Sequence, residues 1–201
     1  MFRSKGLLLV TMEPPASLED EFNDWYDTEH FPQRRGLPGF ESASRWVCIE
    51  GWPRWAALYD LESVGVLDSP AYHAVSGPNS TPWSKRILPR TIGRMRVVAE
   101  QVAPGDALIG AQGEISRLLV AKYPCRAGTA SIVDALASTA KRYKGVLQLR
   151  AFRSHFDGAS DTIAVVEFDR PLDAMSVHSS FGEVADVSAR MLNLYAPYFR
   201  G

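Results

Sequence analysis

Cysteine is scarce in this chain. Cys48 and Cys125 stand far apart in 201 residues, with no CxxC or Cys/His spacing around them, so neither a disulfide framework nor a zinc site is expected. Charge of one sign is lacking too. Lys and Arg number 22 against 23 Asp and Glu, a formal net charge of -1, and this gives no electrostatic reason to expect nucleic acid or an anionic membrane as partner. No apolar run approaches the roughly 20 residues that span a bilayer. The opening GLLLV follows Arg3 and Lys5, then meets Glu13 and two prolines without a small-residue cleavage site. No signal peptide is therefore expected, and a cytoplasmic location is. Gly-rich phosphate loops (GxGxxG, GxxxxGK[ST]) and the GxSxG elbow are absent, which removes nucleotide and serine-hydrolase readings. HxxxH, HxH and HxxE are absent as well, so no helix-borne metal site is expected, and no cofactor.

What is present reads as an ordinary globular chain, 46% hydrophobic and 22% charged, long enough to bury a core. Its pattern predicts a strand over Lys5–Met12, a helix over Leu18–Phe31, and strands over Glu41–Glu50 and Arg54–Leu61. A helix-like stretch over Val64–Val75, a turn over Trp83–Leu88 and a strand over Arg94–Val102 complete a βαββαβ order. That order suggests an antiparallel sheet with helices on one face, the ferredoxin-like arrangement. Residues 104–113 read as a linker, and the order restarts beyond it. Strands are expected over Arg117–Tyr123, Val146–Arg153 and Thr162–Phe168, and a helix over Thr129–Tyr143. Leu172–Tyr195 is expected to be mainly helical, leaving the second half without a final strand. The organisation expected is α+β: a ferredoxin-like unit over 1–103, and a second, divergent one over 114–201. Gly145-Val146 corresponds by position to Gly39-Phe40.

One stretch gathers most of the potential chemistry: Ser17 to Phe40, SLEDEFNDWYDTEHFPQRRGLPGF. Leu18, Phe22, Trp25 and Glu29 follow helical spacing and share a face; Tyr26 and His30, four apart, occupy the adjacent one. Pro32 and the run from Gly36 to Gly39 stop the helix.

This segment resembles the EthD-like family of dimeric α+β barrel proteins, whose helix reads W-Y-x-x-E-H before a proline and an L-P-G-F-like turn. Here those are Trp25, Tyr26, Glu29, His30, Pro32 and Leu37 to Phe40. The resemblance covers about the first 100 residues; the second half has SIVDALASTAKRYKG at the equivalent helix. It implies two ferredoxin-like units whose antiparallel sheets pair into an α+β barrel, closed within this one chain and compatible with a further homodimer. It also implies one functional pocket, in the first unit. Relatives of this barrel include cofactor-free lyases, isomerases, cyclases and monooxygenases of aromatic or polyketide-like compounds, and accessory proteins with no assigned chemistry.

Within the motif, His30 is the leading general acid or base, because histidine titrates near neutral pH. Asp27 is placed to orient its ring and Tyr26 to donate a hydrogen bond. The alternative is that His30 caps the helix end. Glu29 is either a partly desolvated carboxylate suited to proton transfer or the ion-pair partner of an arginine such as Arg45 or Arg34. Trp25 and Trp83 are expected to wall a pocket for an aromatic or apolar small molecule, with His73 and Tyr72 facing the same cleft. His73 could equally be a surface histidine, and the aromatic cluster could equally be core. His155 and His178 lie in the half without the motif. The leading expectation is a cofactor-independent lyase or isomerase acting by proton transfer. The alternatives are a cofactor-free monooxygenase and a non-catalytic accessory or binding protein of a degradation pathway.

Overall fold

The computed structural model describes residues 4–125, 128–156 and 159–200. The first strand shows why its sequence is a continuous apolar run. In β1 (Gly6–Glu13), Leu7 and Leu9 join one buried cluster with Leu58, Val97, Val120 and Val165. Leu8 and Met12 face the other way, into a second cluster with Phe22, Trp25 and Tyr59. A strand covered on both faces has no reason to alternate apolar with polar.

Seven further long strands complete the sheet: β2 (Phe40–Glu50), β3 (Trp55–Leu61), β4 (Ile92–Ala103), β5 (Arg117–Pro124), β6 (Val146–Phe156), β7 (Ala159–Phe168) and β10 (Met191–Pro197). They close into an antiparallel barrel in the order β1-β3-β2-β10-β5-β7-β6-β4. Each half contributes its first strand beside its last and third, the ferredoxin-like order. The seams are crossed pairings: β2 meets β10 (Trp46 opposite Pro197), and β4 meets β6 (Ala99 opposite Ser154). The barrel thus closes within one chain.

A shared turn marks the repeat. Gly39 (φ +81°) and Gly145 (φ +85°) precede β2 and β6 in the left-handed region. Glu62 N donates to Gly39 O and Asp169 N to Gly145 O, both at 2.9 Å. A Cβ on Gly39 would stand 2.5 Å from Val66, and one on Gly145 would stand 2.5 Å from Arg170.

The helices cover the outside of the barrel. They are α1 (Glu19–Trp25), a π-helical turn (Tyr26–His30), α2 (Phe31–Arg35), α3 (Pro70–His73), α4 (Pro82–Ile87), α5 (Thr129–Arg142) and α6 (Ala174–Phe181). The expected helix over Val64–Val75 is split, with a 3-10 turn at Val64–Asp68 and then α3. Pro70 is the cause. It forces Ser69 into extended geometry, and the Ser69 hydroxyl then caps α3 by accepting from Tyr72 N at 3.2 Å.

The end of the chain overturns the expected helical region. After α6 the chain forms a two-strand hairpin, β8 (Glu183–Val184) and β9 (Val187–Ser188), turning through Ala185 and Asp186 at positive φ. β10 then supplies the final strand that the second half was expected to lack. Its period is two: Met191 and Tyr195 pack inside the barrel, Leu192 and Leu194 outside.

Alternation also sets three charges inside the barrel. Arg150 of β6, fully buried, donates from Nη1 to Asp60 Oδ1 of β3 at 2.6 Å, with its Nε 3.4 Å from Glu167 Oε1 of β7. The segment after β4 caps this cluster, Ile109 N donating to Asp60 Oδ2 (2.7 Å) and Gly110 N to Glu167 Oε2 (3.1 Å). Arg150 so joins the second half of the barrel to the first.

Candidate functional site

The π-helical turn builds the site. Phe31 N bonds Tyr26 O five residues back, just ahead of Pro32, which has no N–H to continue an α-helical ladder. In an α-helix, residues five apart point in different directions. Here the extra residue in the turn brings the His30 ring onto Trp25, with centroids 4.5 Å apart, while Tyr26 meets His30 edge-on at 5.2 Å. Trp25 is held in turn: its Nε1 donates to Ser84 Oγ at 3.1 Å. Thr81 caps α4 by accepting from Ser84 N, and donates from Oγ1 to Glu29 Oε1 at 2.5 Å.

His30 opens onto a cavity of about 540 Å³ between these helices and the outer face of the sheet. Leu8, Val10 and Met12 of β1 form its apolar wall, with Tyr59 and Tyr72 at the sides. Arg34, one helical turn after His30, forms the floor. Arg34 is 6% exposed; its Nη2 donates to Val75 O at 2.9 Å and its Nη1 is sealed without a partner. His30 Nδ1 is likewise sealed without a partner, and the buried Tyr59 hydroxyl has the Tyr26 phenol as neighbour but no well-formed hydrogen bond.

Desolvation first, then the positive charges of Arg34 and Arg45, lower the His30 pKa to about 3. The imidazole is therefore neutral at physiological pH, in the form that accepts a proton. Burial also raises the Tyr26 and Tyr59 phenols above their ordinary value, so both stay protonated.

A measurable consequence follows for acid stability. Unfolded His30 takes up its proton near pH 6.5 and folded His30 only near pH 3, so between those values the unfolded state binds more protons and stability falls as pH falls. This one residue contributes a slope approaching about 1.4 kcal/mol per pH unit in that window. His30→Gln is expected to flatten the dependence of urea-unfolding free energy between pH 6.5 and 4. A variant with the wild-type slope would show that His30 titrates normally in the fold.

The structure separates the residues that the sequence grouped. His30 lines the cavity; Tyr26 and Trp25 are buried against it. Asp27 faces away from His30, ion-paired with Arg45, accepting from Tyr198 Oη at 3.1 Å and lying 3.6 Å from Arg200 Nη1. Arg45 is thereby boxed among Tyr26, Tyr198, Trp55 and Phe22. The widened turn rotates Asp27 to that side, so it does not orient the imidazole. Glu29 meets Thr81, not an arginine. Trp83 lies outside the cavity with Nε1 on Glu21 (3.2 Å), and His73 is exposed on α3, while its neighbour Tyr72 does line the cavity. His178 is exposed on α6, and the His155 side chain lies outside the described residues.

Sequence reasoning passed over Arg34, Lys85, Arg94 and Arg96 as cavity residues. Arg34 was legible as i+4 from His30. Arg94 and Arg96 were legible as one face of the alternating RMRVV strand, beside Val10 across the β1–β4 pair. Among the described residues, no three His, Cys, Asp or Glu side chains gather to hold a metal ion. No helix among them is long and apolar enough to cross a membrane.

No family model matches the chain, and no curated sequence matches it either. Solved structures do. An anthrone oxidase-like protein superposes with a TM-score of 0.69 at 12% identity, covering 98% of this chain and 92% of its own. A monooxygenase candidate from Fusobacterium nucleatum gives 0.54 at 8% identity, covering 98% and 96%. A heme-binding protein from Thermus thermophilus gives 0.56 at 10%, covering 98% and 92%. Likenesses this distant in sequence speak for architecture alone, and the architecture they share with this chain is that of the dimeric α+β barrel proteins.

Proposed function

We propose that this protein is a cofactor-independent enzyme that abstracts a proton from a small aromatic or polyketide-like compound in the His30 cavity and passes the resulting carbanion to dioxygen. The observation that carries this reading is a neutral imidazole, its Nδ1 unpartnered among the described residues, lining a cavity whose floor is an arginine with no acidic partner among them. The likeness to an anthrone oxidase-like protein and a monooxygenase candidate supports oxygenation over a lyase or isomerase step. Kinship with the EthD-like proteins rests on the W-Y-x-x-E-H helix, and with it the alternative of an accessory protein that binds without converting.

The proposed chemistry follows from the charges. His30 takes a proton from an activated methylene, and Arg34 receives the negative charge that develops. The field that holds the imidazole neutral also acidifies a bound C–H or O–H, and the anion so formed favours the protonated imidazole. The carbanion reduces dioxygen by one electron, and the radicals combine at carbon as a peroxide. Loss of water, with the proton returned from His30, leaves a ketone. Overall, R₂CH₂ and O₂ become R₂C=O and H₂O, with no external reductant.

A haem-binding neighbour raises the question of iron. A metal-bound imidazole donates its other N–H to a carboxylate or carbonyl. Among the described residues His30 Nδ1 has no such acceptor, and the charged groups that perturb His30, Arg34 and Arg45, are both cations. These residues do not fit an iron ligand.

With anthrone as probe substrate, we expect oxygen uptake in step with anthraquinone formation, faster than the uncatalysed oxidation and abolished under nitrogen. Conversion of a substrate under nitrogen would favour the lyase or isomerase reading. Binding without conversion of any phenolic or anthrone compound would favour the accessory protein.

A further inference from the structure

We infer that the natural ligand of the His30 cavity is an aromatic acid, whose ring lies on the apolar wall of β1 and whose carboxylate is held at the mouth by Arg94, Arg96 and Lys85. The inference rests on this cavity being the substrate site. The chain as a whole is balanced, with a net charge of -1, yet the cavity lining holds Arg34, Lys85, Arg94 and Arg96 and no aspartate or glutamate. Several surface arginines elsewhere do find acids: Arg54 meets Glu13 and Glu19, Arg86 meets Glu21, Arg170 meets Asp169 and Arg200 meets Asp24. Among the described residues none of the four cavity cations has an acidic partner.

Their positions divide the work. Arg34 is buried on the floor beside His30, with Nη1 unpartnered, where charge develops during reaction. Lys85, Arg94 and Arg96 are exposed at the rim. Arg96 is held over the cavity by its Nη2–Tyr72 Oη contact of 3.4 Å, and the Tyr72 ring also lies 5.3 Å from the Arg34 guanidinium. The charge of Arg96 acts against that of Arg34, and one carboxylate at the rim relieves that repulsion. A cavity of about 540 Å³ takes a compound of a few fused rings.

The test is calorimetric titration of 2-naphthoate against its neutral counterpart 2-naphthamide, in the wild type, Arg94→Gln/Arg96→Gln and Arg35→Gln. Arg35 lies on the same helix as Arg34 but outside the cavity. We expect 2-naphthoate to bind wild type about tenfold more tightly than 2-naphthamide. The preference should weaken with salt, vanish in the double variant and persist in Arg35→Gln. Equal affinities, an equal loss in Arg35→Gln, or binding of neither compound would overturn the inference. Oxygen uptake with a neutral substrate and no naphthoate preference would overturn it while leaving the proposed function standing. A naphthoate preference without oxygen uptake would do the reverse.

Discussion

His30→Gln is expected to lower kcat about 100- to 10,000-fold, with KM little changed, because a general base contributes that much to a proton-transfer step. Glutamine keeps a polar group of similar reach on the cavity wall but accepts no proton. The apolar wall, the Arg34 floor and the rim all remain, so binding persists. Stability at pH 7 is not the confounding factor: His30 is neutral there in the folded state, and Trp25, on which it stacks, stays anchored by Ser84. The decisive readout is the pair of constants from steady-state oxygen uptake, with binding checked separately by calorimetry. A kcat within about threefold of wild type would place the base elsewhere.

Arg150→Met is expected to cost about 3–5 kcal/mol of unfolding free energy, the toll of leaving buried charge without its counter-ion. Two carboxylates depend on that guanidinium. Asp60 and Glu167 are 1% exposed each, and burial already raises the Glu167 pKa while Arg150 acts to lower it. Methionine keeps an unbranched side chain in the space and removes the charge together with its hydrogen bond to Asp60. A carboxyl whose folded pKa lies above its unfolded value binds more protons when folded, so the loss should shrink as pH falls toward 5. Asp60→Asn/Arg150→Met/Glu167→Gln should recover much of the loss, since it removes the charges together. Guanidinium unfolding curves at pH 7.5 and 5 read both effects. A loss below about 1 kcal/mol at pH 7.5 would show that the barrel end admits water to the carboxylates.

Most strands were legible because local pattern and burial agree. The run KGLLLVTM and the stretch TIAVVEF could hardly be anything but covered strands, and both are. MLNLYAP was misread because its leucines and tyrosine also suit a helix. What decides between the periods is a pair of strand edges far away in sequence, β2 and β5, which no local window sees. The site was half legible for a related reason. The motif pointed to His30, but wheel geometry assumes 3.6 residues per turn, and the π turn breaks that assumption between Tyr26 and His30. It turned Asp27 toward Arg45 and His30 toward Trp25, exchanging the partners that helical spacing had assigned. Arg94 and Arg96 come from a strand some sixty residues further on, and only the β1–β4 pairing brings them to the cavity.

The crossed seams of the barrel bear on how the chain is made. β2 and β4 both come from the first half, yet each needs a strand from the second to cover its edge, and the cover for β2 is β10, the last barrel strand to leave the ribosome. At about 5–20 residues per second, the β2 edge waits on the order of 5–20 s for its cover, in the state most prone to pairing with a stranger. The exposed arginines of the β4 edge, Arg94 and Arg96, are the kind of charge that discourages such pairing. A nascent chain stalled before Met191 would meet a chaperone with seven of the eight barrel strands made, its cavity walls in place and the gap between β2 and β5 unsealed.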